Sequence, residues 1–199
     1  YRNVKRAIET LSDDFGLNIG QRAITVSTCG VVPVIPRLNK DFPRVHIAIS
    51  LHATTDELRN ELVPINKTYN IATLMDTLRQ LPHIRHSRKL MFEYVMLRDV
   101  NDSFADADRL VKLLDGLPAI VNLIPFNSWP GSAFVSSSPE HITQFSDYIA
   151  SRGIRAPIRW SKGAEIYGAC GQLKSSSKLK QAYIKLITAE RQTANDEKQ

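Results

Sequence analysis

Cysteine is scarce in this sequence: Cys29 and Cys170 are the two thiols among 199 residues. Two cysteines in a chain of this length make no disulfide framework and fit a reducing compartment. Long apolar runs are missing as well. None approaches the ~18 residues that a membrane span needs, and no signal-peptide pattern is seen. There is no internal repeat and no sign of a second domain. No Gly-rich phosphate loop occurs, and no lysine sits inside a strand pattern as a Schiff-base former. A phosphate-binding barrel of the aldolase kind therefore ranks last among the readings. His83 and His86 have no cysteine partner and nothing with metal spacing surrounds His52, which excludes a zinc site. Acid is the minority charge: 20 Asp and Glu stand against 26 Lys and Arg, a net charge of +6. A basic balance favours a polyanionic partner such as RNA, although a solvated basic surface accounts for it equally simply.

What is present is ordinary for a globular domain: 43% hydrophobic and 23% charged residues. The chain opens on Tyr1, almost inside a helical pattern, as expected of a segment of a longer or processed chain. Val4, Ile8, Leu11 and Phe15 give residues 3–15 helical spacing. Strand-like runs follow at 23–28, 45–51, 89–97 and 119–126. Between them, residues 56–63 and 70–81 read as helices, the second capped by Asn70. Ser103 caps a helix running to Leu114 and stopped near Gly116; Ser138 with Pro139 opens another, stopped at Gly153. Residues 154–160 read as a last strand, at an edge because of Pro157. Residues 176–192 read as a final helix, followed by a polar, frayed tail.

Alternating β and α units predict an α/β fold with a parallel sheet and helices outside it, too short for a full eight-fold barrel. In such folds the reactive groups sit on loops after the strands. Those loops are polar here: Ser27 to Gly30, Ser50 to His52, Arg98 to Asp102, and Pro125 to Asn127.

Six segments in order resemble the RlmN/Cfr family of radical S-adenosylmethionine (SAM) adenine methyltransferases, nearest its RlmN branch. They are Ser27-Thr28-Cys29-Gly30-Val31-Val32-Pro33; Ala48-Ile49-Ser50-Leu51-His52-Ala53; and Asp56-Glu57-Leu58-Arg59 leading to Val63-Pro64-Ile65-Asn66. Phe92-Glu93-Tyr94-Val95-Met96 with Asn101-Asp102 follows. Then come Asn122-Leu123-Ile124-Pro125-Phe126-Asn127 with Pro130-Gly131, and Ala169-Cys170-Gly171-Gln172-Leu173. The resemblance implies the C-terminal part of a partial (β/α)6 radical-SAM barrel over residues 1–173, with a basic helix and tail over 174–199. It implies SAM and a 4Fe-4S cluster as cofactors. The family holds its cluster with three cysteines of a CxxxCxxC loop, and the two thiols here are too few for that. The cluster ligands are expected outside this chain, so the chain alone should neither bind a cluster nor cleave SAM.

The implied reaction methylates carbon 2 of adenine in ribosomal RNA, and possibly transfer RNA. That carbon is electron-poor and cannot attack a sulfonium methyl. The family therefore methylates a cysteine first and passes the carbon on by a radical route. Cys170 matches the methyl-carrying cysteine, and a thiolate is the apt nucleophile. Gly168 and Gly171 beside it suit a loop that presents sulfur to two substrates in turn. On spacing alone Cys170 reads as a small buried hydrophobe; its Ala-Cys-Gly-Gln-Leu context tips the balance. Cys29 is left as a pocket-wall thiol, because the family's resolving cysteine precedes the cluster motif.

Ser27, then Ser50 with Leu51 and His52, and Asn127 match SAM contacts of the family. Ser and Asn groups suit a ligand rich in polar atoms; each alone reads better as a turn cap, and it is their position at successive strand ends that favours the ligand. Arg85, His86, Arg88 and Lys89 form one basic cluster; Lys174, Lys178, Lys180 and Lys185 form another. Both could meet phosphates or simply face solvent. Trp129 and Phe134 could stack on a splayed base or anchor their own loop. A cytoplasmic or organellar monomer without membrane contact is expected. Two other readings stay open: a radical-SAM enzyme with a different substrate, and a non-catalytic RNA-binding remnant.

Overall fold

The computed structural model describes residues 1–128 and 132–160. Strands β1 (Thr25–Thr28), β2 (His46–Ser50), β3 (Leu90–Met96) and β4 (Ala119–Pro125) form one sheet in the order β1-β2-β3-β4. Every pairing is parallel, with Ser27 opposite Ala48, Ser50 opposite Glu93 and Glu93 opposite Asn122. The predicted parallel α/β architecture is present.

The helices are α1 (Arg2–Leu11), α2 (Ile35–Asp41), α3 (Asp56–Leu62), α4 (Ile71–Arg79), α5 (Phe104–Leu114) and α6 (Pro139–Ser151). Strand β3 shows why the sheet has a helix side and an open side. Leu90, Phe92, Tyr94 and Met96 are buried at every second position, while Met91, Glu93 and Val95 are half-buried between them. The buried set joins one core with Leu74, Met75 and Leu78 of α4, Leu110 of α5, and Phe145 and Ile149 of α6. The predicted caps are in place: Asn70 Oδ1 accepts the Thr73 amide at 2.9 Å, and Ser103 and Ser138 accept those of Asp106 and His141.

Three expectations need correction. Helix α1 stops at Leu11, and Phe15 is fully exposed rather than on an apolar stripe. Asp13 ends the helix by taking the Phe15 amide on its carboxylate and those of Gly16 and Asn18 on its carbonyl, an Asx-type turn. Residues 154–160 are not a continuous strand but make two isolated parallel bridges to β4, Ile120 with Arg155 and Leu123 with Ile158. Val121 and Leu123 donate to the Arg155 and Pro157 carbonyls, and Arg159 donates to Leu123. The bond that would join the bridges needs an N–H on residue 157, and proline has none. No helix was expected between β1 and β2, yet α2 forms there, with Pro36 in its first turn, where no N–H is missed.

Contacts divide the chain into two units: Tyr1–Phe126 with Phe134–Arg159, and Asn127–Ala133 with Trp160–Gln199. The first holds every element described above. The expected boundary after residue 173 and the helix at 176–192 lie outside the described residues.

Candidate functional site

The C-terminal ends of β1 and β2 are joined by one buried cation. Arg59 of α3 is fully enclosed. Its guanidinium donates to the Cys29 carbonyl at 2.8 Å, the Ser50 carbonyl at 3.1 Å, the Leu51 carbonyl at 3.1 Å and Asn66 Oδ1 at 2.8 Å. A planar fork with fixed donors can satisfy four acceptors at once. Asp56 anchors the other side of this lattice, accepting from Asn66 Nδ2 and from the Ile71 amide, both at 2.9 Å. Gly30 lets the β1 end come this close. Its φ is +102°, and a Cβ there would lie 3.3 Å from Leu74 and 3.4 Å from the Arg59 guanidinium. The Asp56–Arg59 and Asn66 segments carried the family resemblance, but their sequence gave no hint of this role.

The open face of the sheet carries the polar side chains. Ser27 is exposed and Ser50 half-buried, and neither hydroxyl has a hydrogen-bond partner among the described residues. Beside Ser50 in register come Glu93 and Asn122. Asn122 Nδ2 donates to Glu93 Oε1 at 2.8 Å, and Arg159 Nε donates to Asn122 Oδ1 at 3.1 Å. Sequence reading missed this row; the detectable signal was the charged and amide residues interrupting two apolar strands.

Leu51 is buried, and its backbone is engaged: its N–H donates to the Glu93 carbonyl at 3.1 Å and its carbonyl accepts from Arg59. His52 has a left-handed backbone, φ +59°. Its Nδ1 accepts the Val95 amide at 3.2 Å, so the ring proton belongs on Nε2. Burial, with the nearby Arg59 charge adding to it, pushes its pKa down to about 4. The ring is neutral at physiological pH. Asn101 closes the same corner, donating to the His52 carbonyl at 2.9 Å and accepting the Leu97 amide at 2.8 Å.

After β3, Asp102 accepts the Asp99 amide at 2.9 Å and the Ser137 hydroxyl at 2.6 Å. His141 Nε2 lies 2.7 Å from the Asp102 carbonyl oxygen. Asp99, Asp102 and His141 line a cleft of about 490 Å³ with Arg98, Ser103 and Asp106. Asp106 is tied to Ser103, Thr54 and Arg109. This is the wiring of a turn, with the Asp102 and Asp106 carboxylates already paired.

The other sequence candidates fall in three places. Asn127 follows β4 by two residues and belongs to the second unit. Phe134 packs edge-on against Phe126, with ring centroids 6.3 Å apart, an anchoring contact. Cys29 keeps an exposed thiol. Cys170, Trp129 and Lys174, Lys178, Lys180 and Lys185 lie outside the described residues. The first basic cluster is split: Arg88 is buried and donates to the Val45 and His83 carbonyls, whereas Arg85, His86 and Lys89 are not buried. Among the described residues no group of three His, Cys, Asp or Glu could hold a metal, and no helix is long and apolar enough to cross a membrane.

Comparison with known proteins gives a consistent likeness, although no family model matches the chain. It is 55% identical over 177 residues to the dual-specificity RNA methyltransferase RlmN of Xanthobacter autotrophicus, covering 89% of this chain and 42% of that protein. It is 50% identical over 192 residues to the protein of the same name from a Bradyrhizobium strain, covering 96% and 46%. A radical SAM methyltransferase crystal structure from Sphaerobacter thermophilus superimposes with TM-score 0.81 at 44% identity, covering 86% of this chain and 50% of that one. A domain of pyruvate-formate lyase-activating enzyme from Bacteroides vulgatus shares the fold, with TM-score 0.56 at 15% identity, covering 80% of this chain and 92% of that domain.

Proposed function

We infer the activity from one premise: the chain is RlmN-like, a partial counterpart of the radical-SAM methyltransferases to which it is 44–55% identical. It spans less than half the length of the curated relatives it matches. In this reading the whole protein is an enzyme that transfers a methyl group from SAM to carbon 2 of adenine in ribosomal RNA and transfer RNA. The identity over 177 residues to proteins named as RNA methyltransferases is the observation that carries it.

SAM suits the open face of the sheet. The Ser27 and Ser50 hydroxyls are free to pair with its carboxylate, amine and ribose groups. Glu93 sets a carboxylate in the same row as Ser50, which favours a cationic ligand. A neutral His52 places no positive charge beside a sulfonium. Leu51 is fully buried with its backbone engaged, so it packs beneath the strand end rather than touching the ligand; for Asn127 a SAM contact rests on the family resemblance alone. Arg59 acts indirectly, holding the two serine-bearing strand ends together. The 4Fe-4S cluster needs three thiolates and this chain has two cysteines, so its ligands lie elsewhere in the complete protein.

When bound, SAM supplies the methyl group and the cluster supplies the electron for its reductive cleavage. The chain's own covalent part falls to Cys170. Its thiolate would take the methyl group from SAM, with S-adenosylhomocysteine as the leaving group, and then present that carbon to an adenine that could not have attacked SAM itself. A reducing, cytoplasmic setting keeps that thiol free, and the protein works as a monomer. Lys174 and Lys178, which follow Cys170 closely in the sequence, are the cations proposed to neutralise RNA phosphates.

The test is product analysis. Full-length protein with its cluster reconstituted should convert unmodified ribosomal or transfer RNA, with SAM and a reductant, into RNA that yields 2-methyladenosine on digestion. An RNA yielding 8-methyladenosine, or no methylated adenosine, overturns the reading.

A further inference from the structure

The end of the sheet opposite the serines carries a group of cations that no catalytic role absorbs. Arg22 lies just before β1, Arg44 just before β2, Lys89 just before β3, and Arg155 opens the segment bridged to β4. Successive strand entrances thus each bring a positive charge to the same end. Arg22, Arg44 and Arg85 line a cleft of about 290 Å³; His86, Lys89 and Arg155 line a second of about 330 Å³. His46 and Ser87 belong to both, so the clefts are contiguous. No acidic residue lines either one. Asp14 borders a third cleft beside Arg22 and Arg44, but pairs with neither.

None of Arg22, Arg44, Arg85, Lys89 or Arg155 makes a side-chain hydrogen bond or ion pair among the described residues. The strand-entrance end of a βα barrel is ordinarily its stability end. Unpaired like charges within a Debye length of ~10 Å destabilise a fold rather than support it. Arg88 shows the contrast, because its guanidinium is buried and spent on backbone carbonyls.

We propose that this end of the sheet is a second, phosphate-binding face that grips the RNA backbone away from the reaction site. The proposal rests on the RNA-methylating reading and adds a contact surface to it. A seven-residue strand separates the two ends by ~23 Å. A folded RNA is large enough to touch both ends at once. Phosphate contacts carry no sequence code, so the face sets affinity and orientation, not choice of base.

The experiment uses full-length protein and an unmodified transfer RNA transcript, with binding measured across a potassium chloride series. Changing Arg22, Arg44, Arg85 and Lys89 together to Gln should flatten the slope of log affinity against log salt by about 2–3. SAM binding should stay at the wild-type value, and the unfolding midpoint should be no lower than that of wild type because like-charge repulsion is relieved. The matching Arg→Lys variant keeps its charges and should keep the slope. Should the quadruple variant misfold, Arg155→Gln alone should still flatten the slope by about 1. A wild-type slope in a folded variant overturns this face while leaving the methyltransferase reading intact. A wild-type protein that neither binds nor methylates RNA overturns both.

Discussion

The Nδ1 of His52 accepts the backbone amide of Val95 at 3.2 Å, so an imidazole stands where β2 would otherwise continue pairing with β3. The sequence places His52 at a strand end, where it invites a catalytic reading. The geometry makes it a neutral acceptor at the corner of the site.

A pH dependence follows. The folded-state pKa of His52 is about 4 against an ordinary 6.5. The unfolded chain therefore binds this proton more readily. The stability contribution is complete above about pH 6.5 and is lost as pH falls towards 4. By pH 5 the loss is on the order of 2 kcal/mol. His52→Asn tolerates the left-handed backbone and offers an acceptor without titrating. Its unfolding midpoint should fall less between pH 7 and pH 5 than that of wild type. Equal falls would show that His52 is not held neutral.

Arg59 is expected to dominate the stability of the rim. Arg59→Met leaves the Cys29, Ser50 and Leu51 carbonyls without their donor inside the protein. Urea unfolding should show a loss of about 3–5 kcal/mol. Arg59→Lys should recover little of this, because one ammonium cannot span four acceptors. A loss under 1 kcal/mol in both variants would mean that the strand ends hold themselves.

Gly30→Ala should cost about 1–3 kcal/mol, through its positive φ and the contact with Leu74. Gly116→Ala is the informative control. Gly116 also has positive φ, but a Cβ there meets nothing within 4 Å. Equal losses would show that backbone strain alone matters at Gly30.

Ser27→Ala and Ser50→Ala test the proposed SAM contacts. Neither hydroxyl has a partner in the described fold, so removing it should leave the unfolding midpoint unchanged. SAM affinity measured by calorimetry on full-length protein should fall about 2- to 10-fold for each change. Unchanged affinity in both would move the ligand off this face.

Local chemistry was readable from the sequence, and chemistry across long separations was not. Asn70, Ser103 and Ser138 announced their helices because a cap acts within three residues. The strand cores were readable as short apolar runs, although Pro157 broke the last run in a way that only pairing reveals. The Arg59 fork was hidden because its Cys29 acceptor lies 30 positions away. The Val95 partner of His52 was hidden for the same reason, being 43 positions distant. The Glu93–Asn122–Arg159 row and the cations before successive strands needed the sheet order before they could be seen as groups. Cys170 was legible only through its neighbours Ala169, Gly171, Gln172 and Leu173, because a lone cysteine has no periodicity to give it away.

Mass spectrometry of the Cys170 peptide from active full-length protein tests the account most directly. One added methyl group should be found on Cys170, and Cys170→Ala should abolish adenine methylation while leaving SAM binding and the cluster intact. Cys29→Ser should retain activity, since the exposed Cys29 thiol has no assigned step. A methyl group on Cys29 instead, or normal RNA methylation by Cys170→Ala, would contradict the account.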